Sequence, residues 1–250
     1  MTALPFSLER SIFIGAPPAL VFSFFQDSAL FARWWGAGSS VDPRVGGELV
    51  IRFPNAVVVR GEFLELDPPH KVVFTYGYED PTKPIAPGGS TVTVTLQPQG
   101  NGTLVTLSHA LATADARDTH VQGWRHQLGQ FSAAVGAVLA GDDLHARVDR
   151  MLTAWAAPDA EGRRAILDVL VTPEVRLRER YGALDGLEEV VIHLGVLQRF
   201  FPGQAPQRVG DAVECHGRVL FQCSGGSSWV VQLSGDGRVS DITSFVRPAV

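Results

Sequence analysis

Cysteines and metal-ligand motifs are scarce in this sequence. Cys215 and Cys223 are the only cysteines, and no CxxC or HExxH spacing occurs, so neither a metal nor a cofactor is expected. On one extended strand the two cysteines would lie about 27 Å apart, and a hairpin turning at Gly217 would instead place Val213 opposite Phe221. In both cases the sulfurs stay unpaired. We expect both cysteines to be buried, in a reducing compartment.

Long apolar runs and an excess of basic residues are also missing. No window approaches the roughly 20 apolar residues of a membrane span, and the N-terminal segment Met1–Phe6 has no basic stretch before an apolar run. A formal net charge of −5 without a basic block argues against nucleic acid. No P-loop, Rossmann glycine pattern or Ser-His-Asp order appears. We expect a cytoplasmic protein whose partner is a small molecule, with no membrane or nucleic acid as partner.

What the sequence does contain is a globular composition, with 45% hydrophobic and 19% charged residues. The first half reads as one strand, two short helices, five further strands and a long helix. Short turn-rich connections between the strands predict antiparallel pairing. The predicted strands are Phe6–Ile14, Glu48–Phe53, Val57–Leu66, Lys71–Tyr78, Thr91–Gln97 and Thr103–Ala110.

A second short helix is predicted from Ser28, as its N-cap, to Trp35. The long helix shows a one-sided apolar stripe at spacings of three and four. The stripe consists of Val121, Trp124, Leu128, Phe131, Val135 and Val138. This half is therefore predicted to be a bent antiparallel sheet around a long C-terminal helix.

Several segments carry a family likeness in this half. They are Ala16-Pro17-Pro18-Ala19-Leu20-Val21-Phe22, Trp34-Trp35, Gly46-Gly47, Gly61-Glu62-Phe63-Leu64-Glu65-Leu66-Asp67-Pro68-Pro69, Gly102-Thr103 and Gly123-Trp124. With the element order, they resemble the activator-of-Hsp-ATPase-like branch of the START-like (SRPBCC) helix-grip superfamily. The resemblance implies a hydrophobic tunnel between sheet and long helix, used across the superfamily for lipids, polyketides, hormones and aromatic substrates. It does not imply one reaction.

Polar tips among apolar neighbours mark candidate ligand contacts of that tunnel. Tyr76 and Tyr78 share a strand face with Val72 and Phe74, and His109 shares one with apolar residues of the last strand. A buried polar tip needs a partner, which is either a ligand or a group of the protein itself. Aromatic walls suit a flat hydrophobic ligand and suit a plain core equally well. The predicted ligand contacts are Trp34, Trp35, Tyr76, Tyr78, His109 and Trp124, with Trp229 in the second half.

The second half begins after Gly141, so we predict two domains, 1–141 and 142–250. Its pattern is helices first, with Asp142 or Asp143 as a cap, a helix from about Glu161 to Val171, and a strand from Pro173 to Arg180. A further helix and a meander follow. In the meander, the odd positions from Val213 to Cys223 are apolar, and Ser234-Gly235-Asp236-Gly237 predicts a hairpin.

This order resembles the SnoaL-like fold of the nuclear-transport-factor type, a cone-shaped α+β barrel. The motifs that carry the likeness are Val148-x-x-Met-Leu-x-x-Trp155, Gly186-Leu187-Glu188-Glu189-Val190-Val191 and Asp236-Gly237-Arg238-Val239-Ser240-Asp241. The resemblance implies either polyketide cyclase, isomerase, dehydratase or hydrolase chemistry, or ligand binding alone. It also implies a homodimer formed through the C-terminal sheet.

The enzymes of that family use a carboxylate or histidine base in an apolar cone, where desolvation favours the uncharged form. Asp241 and Glu179 are the candidate bases here, with Tyr181 and His193 as candidate donors to a developing enolate. The alternatives are that arginines pair Glu179 at the surface, that His193 is structural, and that Asp241 is a hydrogen-bonded or interface carboxylate.

Three functions stay open from the sequence. The first is binding of a small polyketide-, steroid- or lipid-like molecule with cofactor-free cyclase or isomerase chemistry. The second is sequestration of such a ligand without chemistry. The third, suggested by the name of the first family, is a partner that activates a chaperone ATPase.

Overall fold

The computed structural model describes residues 3–246, and the chain divides into two compact units, residues 1–135 and 136–250. Met1, Thr2 and residues 247–250, which belong to the predicted N-terminal segment and domain ends, lie outside the described residues. The divide falls inside the long helix, ahead of Gly141. The predicted domain bounds stay a prediction.

The first unit is a seven-stranded antiparallel sheet with two short helices and most of a long one. Its order, strand, two helices, strands and long helix, is consistent with the helix-grip fold expected from the sequence, and the structure adds the short strand β2. The strands lie side by side in the order β1-β7-β6-β5-β4-β3-β2. The elements are β1 (Phe6–Ile14), α1 (Pro18–Ser23), α2 (Ser28–Trp35), β2 (Ser40–Val41), β3 (Glu48–Arg52), β4 (Val58–Asp67), β5 (Lys71–Tyr78), β6 (Ser90–Gln99), β7 (Gly102–Leu111) and α3 (Ala114–Ala140).

Helix α2 is capped by Asp27 and not, as the sequence suggested, by Ser28. The Asp27 carboxylate accepts from the backbone N–H groups of Ala29 and Leu30, which satisfies two donors that have no partner within the helix. The Ser28 hydroxyl instead bonds the backbone of Val41, at 3.2 Å to its oxygen and 3.0 Å from its nitrogen. The predicted N-cap of α2 therefore lay one residue too far towards the C-terminus.

Strand β5 brings two tyrosines to the same side of the sheet. Val72, Phe74 and Tyr76 alternate with more exposed residues, as a half-buried strand requires. Beyond Tyr76 the strand needs a glycine, because a Cβ at Gly77 would lie 1.8 Å from the carbonyl oxygen of Ala86. The segment after β5 thus folds back against the strand, where the N–H of Tyr78 also donates to a backbone oxygen at 2.8 Å.

The second unit is a six-stranded mixed sheet with three helices beside it. The sheet order is β10-β11-β12-β13-β8-β9, and only β13 and β8 run parallel. The predicted cone-shaped barrel stays a prediction. The elements are α4 (Leu144–Leu152) with a 3-10 turn (Thr153–Trp155), α5 (Ala160–Leu167), β8 (Val171–Glu179), β9 (Gly182–Asp185), α6 (Leu187–Phe200), β10 (Arg208–Cys215), β11 (Arg218–Cys223), β12 (Ser227–Leu233) and β13 (Val239–Phe245).

In this unit, one helix ends earlier than the sequence suggested and one strand was not predicted. The helix expected to run to Val171 ends at Leu167, because the backbone of Leu170 accepts from Val239 at 2.8 Å and Val171 already pairs with Val239 in the sheet. Tertiary pairing here overrides helical periodicity. Strand β9 was missed altogether, since four residues are too few to show an alternating pattern.

The predicted extended region before Cys223 is a hairpin whose register differs by one from the pairing considered above. His216 and Gly217 both adopt positive φ, at 52° and 76°, as a two-residue hairpin turn requires. Cys215 therefore pairs with Arg218, and Val213 with Leu220. Opposite residues share a face, so odd positions of β10 lie on the face of even positions of β11.

This register corrects the cysteine prediction. Cys215 is exposed and Cys223 is buried, and both are free thiols. The exposed face also holds Val213 and Leu220, which are 60% and 48% exposed. Among the helices of residues 3–246, none has the length and apolar character that a bilayer crossing requires.

Candidate functional site

A cavity of about 520 Å³ opens in the first unit. Aromatic side chains from α2, β5 and α3 make up much of its wall, and the segment that folds back after β5 contributes Lys83. A cavity of this size that combines aromatic walls with polar groups is typical of small-molecule sites. Its principal lining side chains are Trp35, Phe53, Tyr76, Tyr78, His120 and Trp124.

Four of the six ligand contacts predicted in this half line the cavity, namely Trp35, Tyr76, Tyr78 and Trp124. Trp34 lies outside the lining, buried and stacked on Phe131 with ring centroids 4.5 Å apart. His109 also lies outside it. Their roles as ligand contacts stay predictions, and the observed contacts of these two residues are those of a packed core.

His109 is fully buried and its two ring nitrogens both have protein partners. The indole N–H of Trp124 donates to Nδ1 at 2.9 Å, so Nε2 carries the proton and donates to the Ser90 hydroxyl at 2.8 Å. Ser90 in turn donates to the backbone oxygen of Tyr76. Burial, and then the charge of nearby His120, lowers the pKa of His109 to about 3. The imidazole is therefore neutral, and it holds Trp124 in place as a wall of the cavity.

His120 was not among the predicted site residues, yet it lines the cavity and ends a hydrogen-bond chain. Its Nδ1 lies 2.6 Å from the carbonyl oxygen of Ala116, which can only accept, so Nδ1 carries the proton and Nε2 is an acceptor. The Tyr78 hydroxyl donates to that Nε2 at 2.9 Å, and the Tyr76 hydroxyl donates to Tyr78 at 3.3 Å. We call Tyr76, Tyr78 and His120 the Tyr-Tyr-His relay.

Two members of the relay, His120 and Tyr76, are uncharged at neutral pH. Burial lowers the pKa of His120, against a smaller opposing effect of its hydrogen bond to Ala116. Burial, and then the proximity of Tyr78, raises the pKa of Tyr76 well above its usual value. The sequence held a signal for His120, because it precedes Trp124 by one helical turn and so shares its face.

The second unit holds a smaller pocket of about 160 Å³, lined in part by Trp155, Glu179, Tyr181 and Trp229. Glu179 shares its strand face with buried Val175 and Leu177, as the sequence predicted. Tyr181 stacks on Phe201, and Trp229 stacks on Phe221 and meets Trp155 edge to face.

Glu179 and His193 form a pair beside this pocket, with Oε1 and Nε2 2.7 Å apart. Their side chains are only 10% and 12% exposed. The histidine packs on Gly182, where a Cβ would lie 2.9 Å from its ring. A carboxylate held by an imidazole at a pocket is an arrangement that can accept and return a proton.

Asp241 is placed apart from that pair. Its carboxylate is 3.0 Å from the guanidinium of Arg176, its partner on the neighbouring strand, and accepts from the Thr243 hydroxyl. Phe245, four residues further along β13, is 58% exposed. The catalytic role of Asp241 stays a prediction, and its observed contacts match the alternative of a paired carboxylate.

The side chains described in residues 3–246 include no group of three His, Cys, Asp or Glu residues that could hold a metal ion.

A model of a known protein family matches most of the first unit. Residues 15–136 match the family model described as "Activator of Hsp90 ATPase homolog 1-like protein". No curated protein matches the chain. The first unit is thus an α+β unit consistent with a helix-grip fold. Residues 15–136 are an Activator of Hsp90 ATPase homolog 1-like domain.

Solved structures include similar chains from several bacteria. The AHSA1-like protein RHE_CH02687 from Rhizobium etli is 33% identical, with 53% of this chain and 84% of that chain covered and a TM-score of 0.42. CalU16 from Micromonospora echinospora is 24% identical, with 52% and 75% covered and a TM-score of 0.43. The Aha1 dimer from Colwellia psychrerythraea is 20% identical, with 49% and 90% covered and a TM-score of 0.42. All three TM-scores are below 0.5.

The buried neutral His109 predicts how stability depends on pH. Its folded pKa of about 3 lies below the unfolded value of 6.5, so the unfolded chain binds the proton and the folded chain does not. The contribution is complete above pH 6.5 and is lost as the pH falls towards 3. From pH 7.5 to 5.0, His109 should cost about 2 kcal/mol of unfolding free energy.

Urea unfolding of His109→Gln and the wild type at both pH values measures this difference. The variant should lose about 2 kcal/mol less between pH 7.5 and 5.0. His126→Gln, at an exposed position of helix α3, is the control and should keep the wild-type pH dependence. An unchanged pH dependence in His109→Gln would contradict a neutral buried imidazole.

Proposed function

We propose that the first unit binds one small, flat, hydrophobic molecule in its 520 Å³ cavity. The cavity itself carries this proposal. Its walls place Trp35 and Trp124 with ring centroids 5.6 Å apart, edge to face, and Phe53 packs on Trp35 at 5.8 Å. Burying the apolar surface of a ligand against these aromatic side chains contributes about 25 cal/mol per Å² to the binding free energy. Polyketide-, steroid- and lipid-like compounds are the candidate ligand classes.

Filling the cavity from the long helix should abolish binding. Gly123 lines the cavity, and among the described residues no atom would lie within 4 Å of a Cβ placed there. Gly123→Phe should therefore fold and occupy ligand space. With N-phenyl-1-naphthylamine as a fluorescent probe, we expect at least a roughly tenfold weaker Kd than for the wild type.

Gly129 provides the matched control, because it lies on the same helix, outside the cavity lining, with equally open space for a Cβ among the described residues. Gly129→Phe should bind the probe as the wild type does. A wild type that binds no probe, or a Gly123→Phe variant with unchanged Kd, would contradict the proposal. Native mass spectrometry of freshly expressed protein would show any retained compound and its stoichiometry.

A second candidate function is cofactor-free acid–base chemistry at the Glu179–His193 pair. The pair's low exposure and the position of Glu179 in the lining of a pocket support this function. In this reaction, Glu179 would take a proton from a carbon next to a ketone and return it to another carbon, while His193 holds the carboxylate. Tyr181 lines the same pocket as the candidate donor to the enolate oxygen.

Hydrogen–deuterium exchange of 2-tetralone in D2O, followed by NMR, tests this chemistry. The wild type should accelerate exchange, and Glu179→Gln should lower the enzymatic rate by about 100-fold, since a neutral amide cannot take the proton. Glu174→Gln, an exposed position on the same strand, should leave the rate unchanged. A wild type without acceleration would exclude this chemistry for the ketone and leave sequestration as the function.

The proposed SnoaL-like relationship of the second unit predicts a homodimer that forms through the sheet of that unit. Its support is the exposed apolar pair Val213 and Leu220, beside the half-buried Val230 that is opposite Leu220. A second copy would cover this row by placing the same face against itself. Sedimentation at micromolar concentration should give a dimer mass for the wild type and a monomer mass for Leu220→Glu. A monomeric wild type would remove the dimer.

Activation of a chaperone ATPase rests on the description of the matching family model alone. Ligand binding has the cavity as additional support, so we rank the chaperone function behind it. Recovery of an Hsp90-type chaperone with the tagged protein would reverse that order.

A further inference from the structure

The hydroxyl groups of the cavity wall have already donated their hydrogens to the protein. The Tyr-Tyr-His relay uses those of Tyr76 and Tyr78. Thr82 donates to the Asp80 carboxylate at 2.7 Å, and Thr119 to the Asp115 carbonyl at 2.9 Å. These four side chains are the hydroxyl-bearing ones of the lining. What each still offers a ligand is a lone pair on its oxygen.

Three nitrogen donors of the lining are also used within the protein, whereas the amide of Asn55 and the ammonium of Lys83 are further donors of the lining. The indole N–H of Trp124 and the Nδ1–H of His120 donate to protein acceptors. Gln127 donates through its amide nitrogen to the backbone oxygen of Trp34. The indole nitrogen of Trp35 has no partner in the described chain, but it is buried, so a ligand does not reach it.

The direction of the relay is fixed at one end by a group that cannot reverse. The Ala116 carbonyl has no hydrogen to give, so His120 must present an acceptor at Nε2 as long as it is neutral. Burial lowers the pKa of His120 and raises that of Tyr76, so both remain neutral around pH 7. The Tyr78 hydrogen is therefore held by His120 and is not offered to the cavity.

We propose that the cavity selects a ligand that brings its own hydrogen-bond donor, namely an uncharged aromatic alcohol such as a phenol. This inference rests on the proposed ligand-binding function and deepens it. An aromatic ring packs against the indole walls, and its hydroxyl donates to the phenol oxygens of the relay. An ether of the same shape leaves those oxygens unpaired on desolvation, and a carboxylate directs its own lone pairs at them.

Three probes of similar shape test the inference: 2-naphthol, 2-methoxynaphthalene and 2-naphthoate at pH 7. Isothermal titration of the full chain should give 2-naphthol a Kd about tenfold lower than that of either other probe. Equal affinities, or tighter binding of the ether, would overturn the inference and leave the proposed function standing. Tightest binding of naphthoate would overturn it too, and would point to the exposed Lys83 of the lining. If no probe binds, the proposed function falls together with the inference.

The variant His120→Leu tests whether the relay causes the preference for 2-naphthol. Without the imidazole acceptor, the Tyr78 hydrogen becomes available to the cavity, so the ether gains a donor and the naphthol preference should fall to about twofold or less. His126→Leu, at an exposed position of the same helix, should keep the tenfold preference. Retention of the preference in a folded His120→Leu would overturn the relay as its cause. If that variant does not fold, the wild-type ratio alone decides.

Discussion

The hydrogen bond from Trp124 to His109 connects the long helix to the sheet, and the form of the cavity depends on it. It requires a neutral imidazole, because an imidazolium has no nitrogen lone pair to accept the indole hydrogen. Burial maintains that state by lowering the pKa of His109 to about 3. The second ring nitrogen then donates to Ser90, which bonds the backbone of Tyr76. One buried uncharged ring thus orients both an aromatic wall and the strand that carries the two tyrosines.

The two candidate sites differ in the polar groups that they contain. The larger cavity contains the Tyr-Tyr-His relay, whose hydroxyl and imidazole hydrogens are all donated within the protein. The smaller pocket contains Glu179 held by His193, two groups able to carry charge and exchange a proton. A pair with this capacity fits acid–base chemistry better than simple binding. If both sites act, the first unit holds a ligand and the second offers the reactive carboxylate.

The element order was predictable because periodicity reports local burial directly. The stripe containing Trp124 predicted the long helix, and alternation along Lys71–Tyr78 predicted the strand that presents Tyr76 and Tyr78. Elements set by distant contacts were not predictable. Strand β8 begins before Pro173 because Val239 pairs with Val171, and the one-residue difference in the β10–β11 register moved Cys215 to the exposed face.

By itself the sequence determined the order of the elements except for the short strands β2 and β9, and it determined the resemblance of the first half to a helix-grip domain. It also determined four of the aromatic side chains that line the cavity, namely Trp35, Tyr76, Tyr78 and Trp124. Only the tertiary structure decided which nitrogen of His120 accepts, since that depends on a carbonyl and a phenol brought to one ring from a helix and a strand. It also separated Glu179, which meets His193 at a pocket, from Asp241, which meets Arg176 across two parallel strands. The physical reason is that residue type and period fix a side chain's face, whereas its partner is set by pairing between segments distant in the chain.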